Sequence, residues 1–201
     1  MIGRRTVLGA AAGVAIGAAL QRPAYAAPSA ADRMNQLGPE NEALRSRVGL
    51  WDMTETVWSG PGAEPVSTTG LVAERVMMGS LLQELLRPAD DRAHAAVART
   101  DMLSFDRIEG CWKYVSFDTR APVGLMPAVS TGPGDGRTIE LIFEPFAAPL
   151  PGDQVIGQML RMTQIIRFEA PDRDVKDQYF MLADGTGTRW LAHRYAYVRR
   201  G

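Results

Sequence analysis

Residues 158–182 read QMLRMTQIIRFEAPDRDVKDQYFML, and this stretch decides the fold. Its first half alternates. Leu160, Met162, Gln164, Ile166 and Phe168 fall on one side and Arg161, Thr163 and Arg167 on the other, the period of two expected of a strand with one buried face. Pro171-Asp172 then marks a turn, and a second strand-like run covers 175–182. So short a gap leaves no room for a crossover helix, so the two runs must pair antiparallel.

The same grammar extends outward. Strand-like runs cover 50–58, 68–78, 81–87, 99–105, 111–118, 124–131, 138–144 and 188–199. Turn signals separate them, among them Ser59-Gly60-Pro61-Gly62, Gly79-Ser80, Glu109-Gly110, Gly132-Pro133-Gly134-Asp135-Gly136 and Asp184-Gly185-Thr186-Gly187. Before the first run, Gly38-Pro39-Glu40-Asn41-Glu42 opens a short helix with Pro in its first turn and acids at its positive end, running to about Arg47. A flat meander of this length exposes two edges, and closure removes both. The expectation is therefore all-β: an up-and-down antiparallel barrel of about ten strands with a short N-terminal helix, two packed sheets being the alternative. A barrel of that size can hold one small ligand. The longest interruptions, 89–98 with His94 and 145–155, are expected as loops at its mouth.

The chain has 201 residues, 46% hydrophobic and 22% charged, with no long charge block, which excludes wholesale disorder, a coiled coil and a polybasic nucleic-acid binder. Residues 1–26 have the layout of a secretory signal: Arg4-Arg5, an apolar run from Thr6 to Leu20, and Ala24-Tyr25-Ala26 as the cleavage site. Arg4-Arg5 followed by Thr6-Val7-Leu8 resembles the twin-arginine export motif, with general secretion as the alternative. The expected location is periplasmic or secreted. Residues 27–38 read as a flexible arm, and 39–201 as the barrel domain. Signal removal takes away three arginines and moves the net charge from −1 to −4, so anionic polymers are not expected partners. No apolar run is long enough for a membrane span after signal removal. Cys111 is the only cysteine, which forbids an internal disulfide; it reads as buried filler.

Parity selects the candidates. Ile139, Leu141 and Phe143 face the core. In the run 81–87, Leu82 and Leu86 flank Glu84 on one face and Leu81, Gln83 and Leu85 share the other, so both directions stay open. If the first set points inward, Glu84 is a carboxylate in the lumen that needs an arginine or a tyrosine. In the last run, Leu191, His193, Tyr195 and Tyr197 oppose Trp190, Ala192, Arg194 and Ala196, and neither face is purely polar. The candidate cavity residues are Met53, Leu82, Glu84, Leu86, Trp112, Tyr114, Phe143, Gln164 and Tyr195, joined by Met162 as an apolar lining residue.

Motifs of enzyme chemistry are absent. The sequence contains no G-x-S-x-G, H-E-x-x-H or C-x-x-C, and no Gly-rich strand-to-helix loop; no cofactor, metal or catalytic residue is assigned.

Gly49-Leu50-Trp51, at the start of the first strand and just after the helix, resembles the G-x-W signature of lipocalin-like barrels. The resemblance implies that Trp51 plugs the closed end and is covered by an arginine near the end of the last strand, Arg199 or Arg200. From about Pro39 to Arg200 the ordered pieces Val48-Gly49-Leu50-Trp51, Pro61-Gly62-Ala63-Glu64-Pro65, Met78-Gly79, Phe105-Asp106, Gly110-Cys111-Trp112-Lys113-Tyr114-Val115 and Tyr197-Val198-Arg199 resemble the bacterial family catalogued as domain of unknown function 1579. That resemblance implies a lipocalin-like fold and no particular activity. The expected function is binding of a small hydrophobic or amphipathic ligand inside the barrel. Two alternatives stand beside it: haem binding through His193, and an enzyme acting on a hydrophobic substrate with Glu84 or His193 as general base.

Overall fold

The computed structural model describes residues 27, 29, 30, 36–90, 96–121, 123–149 and 155–201. The expected export signal and His94 lie outside the described residues. Helix α1 (Pro39–Arg45) precedes β1 (Gly49–Val57), β2 (Val66–Met78), β3 (Leu81–Pro88), β4 (Arg99–Asp106), β5 (Cys111–Asp118) and β6 (Leu125–Val129). There follow β7 (Thr138–Phe143), the two-residue β8 (Phe146–Ala147), β9 (Met159–Ala170), β10 (Arg173–Leu182) and β11 (Arg189–Arg199).

Every pairing is antiparallel, and neighbours follow chain order from Gly49↔Arg75 between β1 and β2 to Arg173↔Val198 between β10 and β11, except that β7 pairs with β9. Pairing of β11 with β1, Trp51↔Arg199 through Val57↔His193, joins last strand to first and closes a ten-strand lipocalin-like barrel. β8 is the eleventh strand and continues the line of β7 along β9, where Phe146 opposes Leu160 after Ile142 has opposed Thr163. The seam between β6 and β7 is the thinnest, with only Ala128↔Phe143 and Val129↔Ile142 in register.

Two irregularities set parity. Register shifts between Met53 and Glu55 opposite Gly70, whose φ of +84° suits glycine alone. A second shift makes β11 carry Ala192 as an extra residue between His193, opposite Gln178, and Leu191, opposite Tyr179. Trp190 and Ala192 are therefore buried before this point and Tyr195 and Tyr197 after it. The bulge is the physical reason that neither face of this strand alternates cleanly.

The inner faces carry the expected residues of β7 and β9, and β3 resolves to Leu82, Glu84 and Leu86 inward, all buried. Helix α1 closes one end: Leu44 is fully buried and Asn41 Oδ1 accepts the Phe105 amide at 3.3 Å. It ends at Arg45, two residues short of the expected limit, because Arg47 and Val48 already turn back to the carbonyls of Leu44 and Arg45.

The core falls into two apolar clusters. The larger holds Trp112, Phe105, Phe143, Leu160 and Phe168; the smaller holds Trp51, Met53, Ala73, Leu86, Tyr195 and Tyr197. Trp51 is fully buried, with the Arg199 guanidinium 4.4 Å from its ring centroid on one side and that of Arg75 at 4.5 Å on the other. Arg199 also donates to the carbonyls of Val48 at 2.7 Å, of Ser46 and of Pro171, tying the chain after α1 to the barrel end.

Candidate functional site

Between the two apolar clusters lies a set of buried charges. Glu84 on β3 accepts from Arg75 Nε at 2.6 Å, Lys176 Nζ at 2.8 Å, the Tyr197 hydroxyl at 3.0 Å and Arg99 at 3.4 Å. Lys176 donates at 2.8 Å to Asp101, which also accepts from the Ser116 hydroxyl at 2.7 Å. Asp174 pairs with Arg75 and, at 2.9 Å, with Arg47. Burial alone pushes Glu84 upward, but Lys176, Arg75 and Arg99 outweigh it and hold its carboxyl well below the usual range. Asp101 is lowered in the same way, chiefly by Arg99 and Lys176 against its burial. Such a network is satisfied only as a whole.

Above it, at the end away from α1, opens a cavity of about 310 Å³. Its lining divides by strand, apart from Val57 on β1 and Gln178 on β10. Met126, Phe146, Met162 and Phe180, from β6, β8, β9 and β10, supply an apolar wall. Glu55, Arg99, Ser116, His193 and Tyr195, from β1, β4, β5 and β11, supply a polar one. Arg99 and Ser116 belong to both the ion network and the cavity, so the network forms part of its floor.

At the rim Arg120 donates to Glu55 at 2.8 Å and grips Asp118 with two bonds of 2.8 and 3.0 Å, which links β1 to the turn after β5. Glu55 is raised by burial, yet His193 and Arg120 outweigh this and leave it at about 2. His193 Nδ1 stands 3.5 Å from Glu55 Oε1, too long for a hydrogen bond and within ion-pair range. The imidazole stacks on Tyr195, with centroids 5.9 Å apart, and tilts against Phe180.

The candidates from sequence separate into groups. Tyr195 and His193 line the large cavity, as does Met162. Leu82, Glu84 and Tyr114 line a separate void of only about 20 Å³, room for one water. Met53, Leu86, Trp112 and Phe143 line neither space and are packed into the core, and Gln164 is buried under the Gln178 amide at 2.9 Å. They lie away from the large cavity because the large side chains of that half of the barrel fill its interior. The oxygens of Glu84, the expected alternative general base, are held by four donors and also lie away from that cavity.

Sequence reading missed Glu55, Arg99, Ser116, Gln178 and Arg120. A signal existed for Arg99, since alternation places it and Asp101 on one face with Leu103 and Phe105. Arg120 sits in a turn and carries no periodic mark. Among the described residues no cluster of three His, Cys, Asp or Glu is placed to hold a metal ion, and no helix is long and apolar enough to cross a membrane.

Fold and site together define a lipocalin-like barrel, solid at the end closed by α1 and hollow at the other. The S-type phycobiliprotein lyase CPES from Guillardia theta has a similar fold, with a TM-score of 0.50 at 13% identity over 87% of this chain and 99% of that one. Rv2717c from M. tuberculosis gives a TM-score of 0.47 at 15% identity over 83% and 100% of the two chains. No family model and no curated protein matches the chain.

Proposed function

We propose that this chain is an exported binding protein that takes a small amphipathic molecule into the open half of its barrel. The observation that carries the reading is the divided lining of the 310 Å³ cavity, apolar on the Met126, Phe146 and Phe180 side and polar on the Arg99 and Tyr195 side. That volume lies near the lower end of the range of about 300–1,000 Å³ found for ligand pockets. It favours ligands smaller than haem, which weighs against haem ligation by His193. The ordered sequence pieces from Pro39 to Arg200 support kinship with the barrels of domain of unknown function 1579. Export rests on the layout of residues 1–26 and is tested by sequencing the mature N-terminus, expected at Ala27.

The neutral apolar dye N-phenyl-1-naphthylamine tests the cavity. Its emission should rise on binding, and Met126→Trp, which fills the apolar wall, should weaken uptake by about tenfold or more, the cost of losing a contact worth over one kcal/mol. No uptake by the unaltered protein, with no ligand retained in native mass spectrometry, overturns the reading.

A second reading, proton transfer by His193 on an apolar carbonyl substrate, is favoured by its approach to Glu55 inside the cavity. Deuterium exchange next to the carbonyl in heavy water, lost in His193→Ala, is its test.

A further inference from the structure

The hydrogen-bond inventory of the cavity names the polar end of its ligand. Among the described residues the buried side-chain atoms that make no hydrogen bond are Nε of Arg47, Nε of Arg99, Nε2 of Gln164 and Nδ1 of His193. Of these residues Arg99 and His193 line the cavity, whereas Arg47 and Gln164 do not. Of the carboxylates in the lining, both Asp118 oxygens and Oε2 of Glu55 accept from Arg120.

Arg99 is the donor that matters. Its side chain is 4% exposed, it lines the cavity, and it stacks 4.3 Å from the Tyr195 ring centroid. Its Nη2 donates to the Tyr197 hydroxyl at 3.0 Å and to Glu84 at 3.4 Å, while Asp101 lies 3.2 Å from its Nε without receiving a hydrogen bond. Both carboxylates have closer cations, Lys176 at 2.8 Å to each and Arg75 at 2.6 Å to Glu84. A guanidinium carries five N–H donors, and leaving buried donors unmet is costly.

We infer that the cavity takes a small monocarboxylate, its head accepting from Arg99 at the floor and its apolar body lying along Met126, Phe146, Met162 and Phe180. The inference rests on the binding function proposed above and adds the ligand class. A carboxylate supplies acceptor oxygens and an opposite charge to the Arg99 guanidinium. An amine would bring a further cation and further donors, and an alcohol no charge.

Three probes with one chain length separate these cases by titration calorimetry on the full chain: octanoate, octanol and octylamine. Octanoate should bind about tenfold or more tightly than either of the others, the range expected of charge-assisted hydrogen bonds. In Arg99→Gln that preference should vanish while octanol affinity stays. If the variant fails to fold, a nuclear Overhauser contact in the unaltered protein between the octanoate C2 protons and the Arg99 Nε–H decides: its presence supports the assignment and its absence overturns it. Octanol or octylamine matching octanoate overturns the carboxylate class while leaving the cavity as a binding site. If none of the three binds and the neutral dye is refused as well, the binding function itself falls.

Discussion

Replacing Glu84 by Gln keeps the volume of the side chain and removes the charge on which four donors converge. The carboxylate takes Arg75 at 2.6 Å, Lys176 at 2.8 Å, Tyr197 at 3.0 Å and Arg99 at 3.4 Å, with 4% of the residue exposed. An amide places an NH₂ against one of those donors and leaves Asp101 and Asp174 to balance the cations. Removing one partner from a buried ionic network costs about 3–5 kcal/mol. For a chain of this size about 1 kcal/mol is worth about 2–4 °C, so Tm should fall by roughly 10 °C. Thermal and urea unfolding followed by circular dichroism at pH 7 measure it, with Glu84→Gln/Lys176→Met as a control that restores part of the charge balance. The reasoning also fixes a pH dependence. Glu84 sits well below its ordinary 4.5 when folded, because Lys176, Arg75 and Arg99 outweigh burial. Its stabilising contribution is complete above about pH 4.5 and is lost as pH falls through the lower folded value. The Gln variant should lack that part of the acid dependence. A loss below about 1 kcal/mol, the scale of a solvated surface pair, would refute the claim that these charges are sealed from water.

Glu55, at about 2 in the folded chain against an ordinary 4.5, stabilises fully above pH 4.5 and loses its contribution as pH falls towards 2. Glu55→Gln should therefore flatten the acid-unfolding curve in that window, as read by circular dichroism. Arg199→Ala removes the guanidinium over Trp51 and three bonds to carbonyls at an exposed site, and should cost about 1–2 kcal/mol in urea unfolding. Gly134 has φ of +71°, and a Cβ there would lie 2.4 Å from the Thr138 carbonyl oxygen, so Gly134→Ala should cost about 1–3 kcal/mol by the same measurement.

The barrel was legible because turn spacing and a period of two do not depend on which face is buried. The run from Met159 to Ala170 shows this: its inner face is apolar except for Gln164, and alternation suffices. Parity fails elsewhere for local reasons. In β10 the inner face is Asp174, Lys176, Gln178 and Phe180, more polar than the face carrying Val175 and Tyr179, so hydropathy favours the wrong side. Asp177 on the outer face is buried by the guanidiniums of Arg167 and Arg194, a contact that joins three strands and leaves no trace in any one of them. In β11 the extra Ala192 switches the inward set halfway along. Glu84 was recognisable as an ion needing a partner, but not its partners, which come from β2, β4, β10 and β11.

The position of the charges explains why the barrel is hollow at one end only. Near α1, Phe105 and Trp112 meet edge to face at 5.1 Å, and Leu44 seals the end, so apolar side chains fill the lumen by themselves. At mid-height the inward positions are Arg75, Glu84, Asp101 and Lys176, whose mutual distances of 2.6–2.8 Å demand close approach across the lumen and so draw the walls together. Beyond Arg99 the inward residues of β1 and β11 include Glu55, which pairs with Arg120 at the rim, and His193, which lies against Glu55 rather than the opposite wall. The space between network and rim is left to the apolar side chains of β6, β8, β9 and β10 on one side only. A molecule that penetrated deeper would have to displace ion pairs with no replacement, so the network acts as a stop. In the proposed binding mode the head group rests on this floor at Arg99 and the body lies towards the open end.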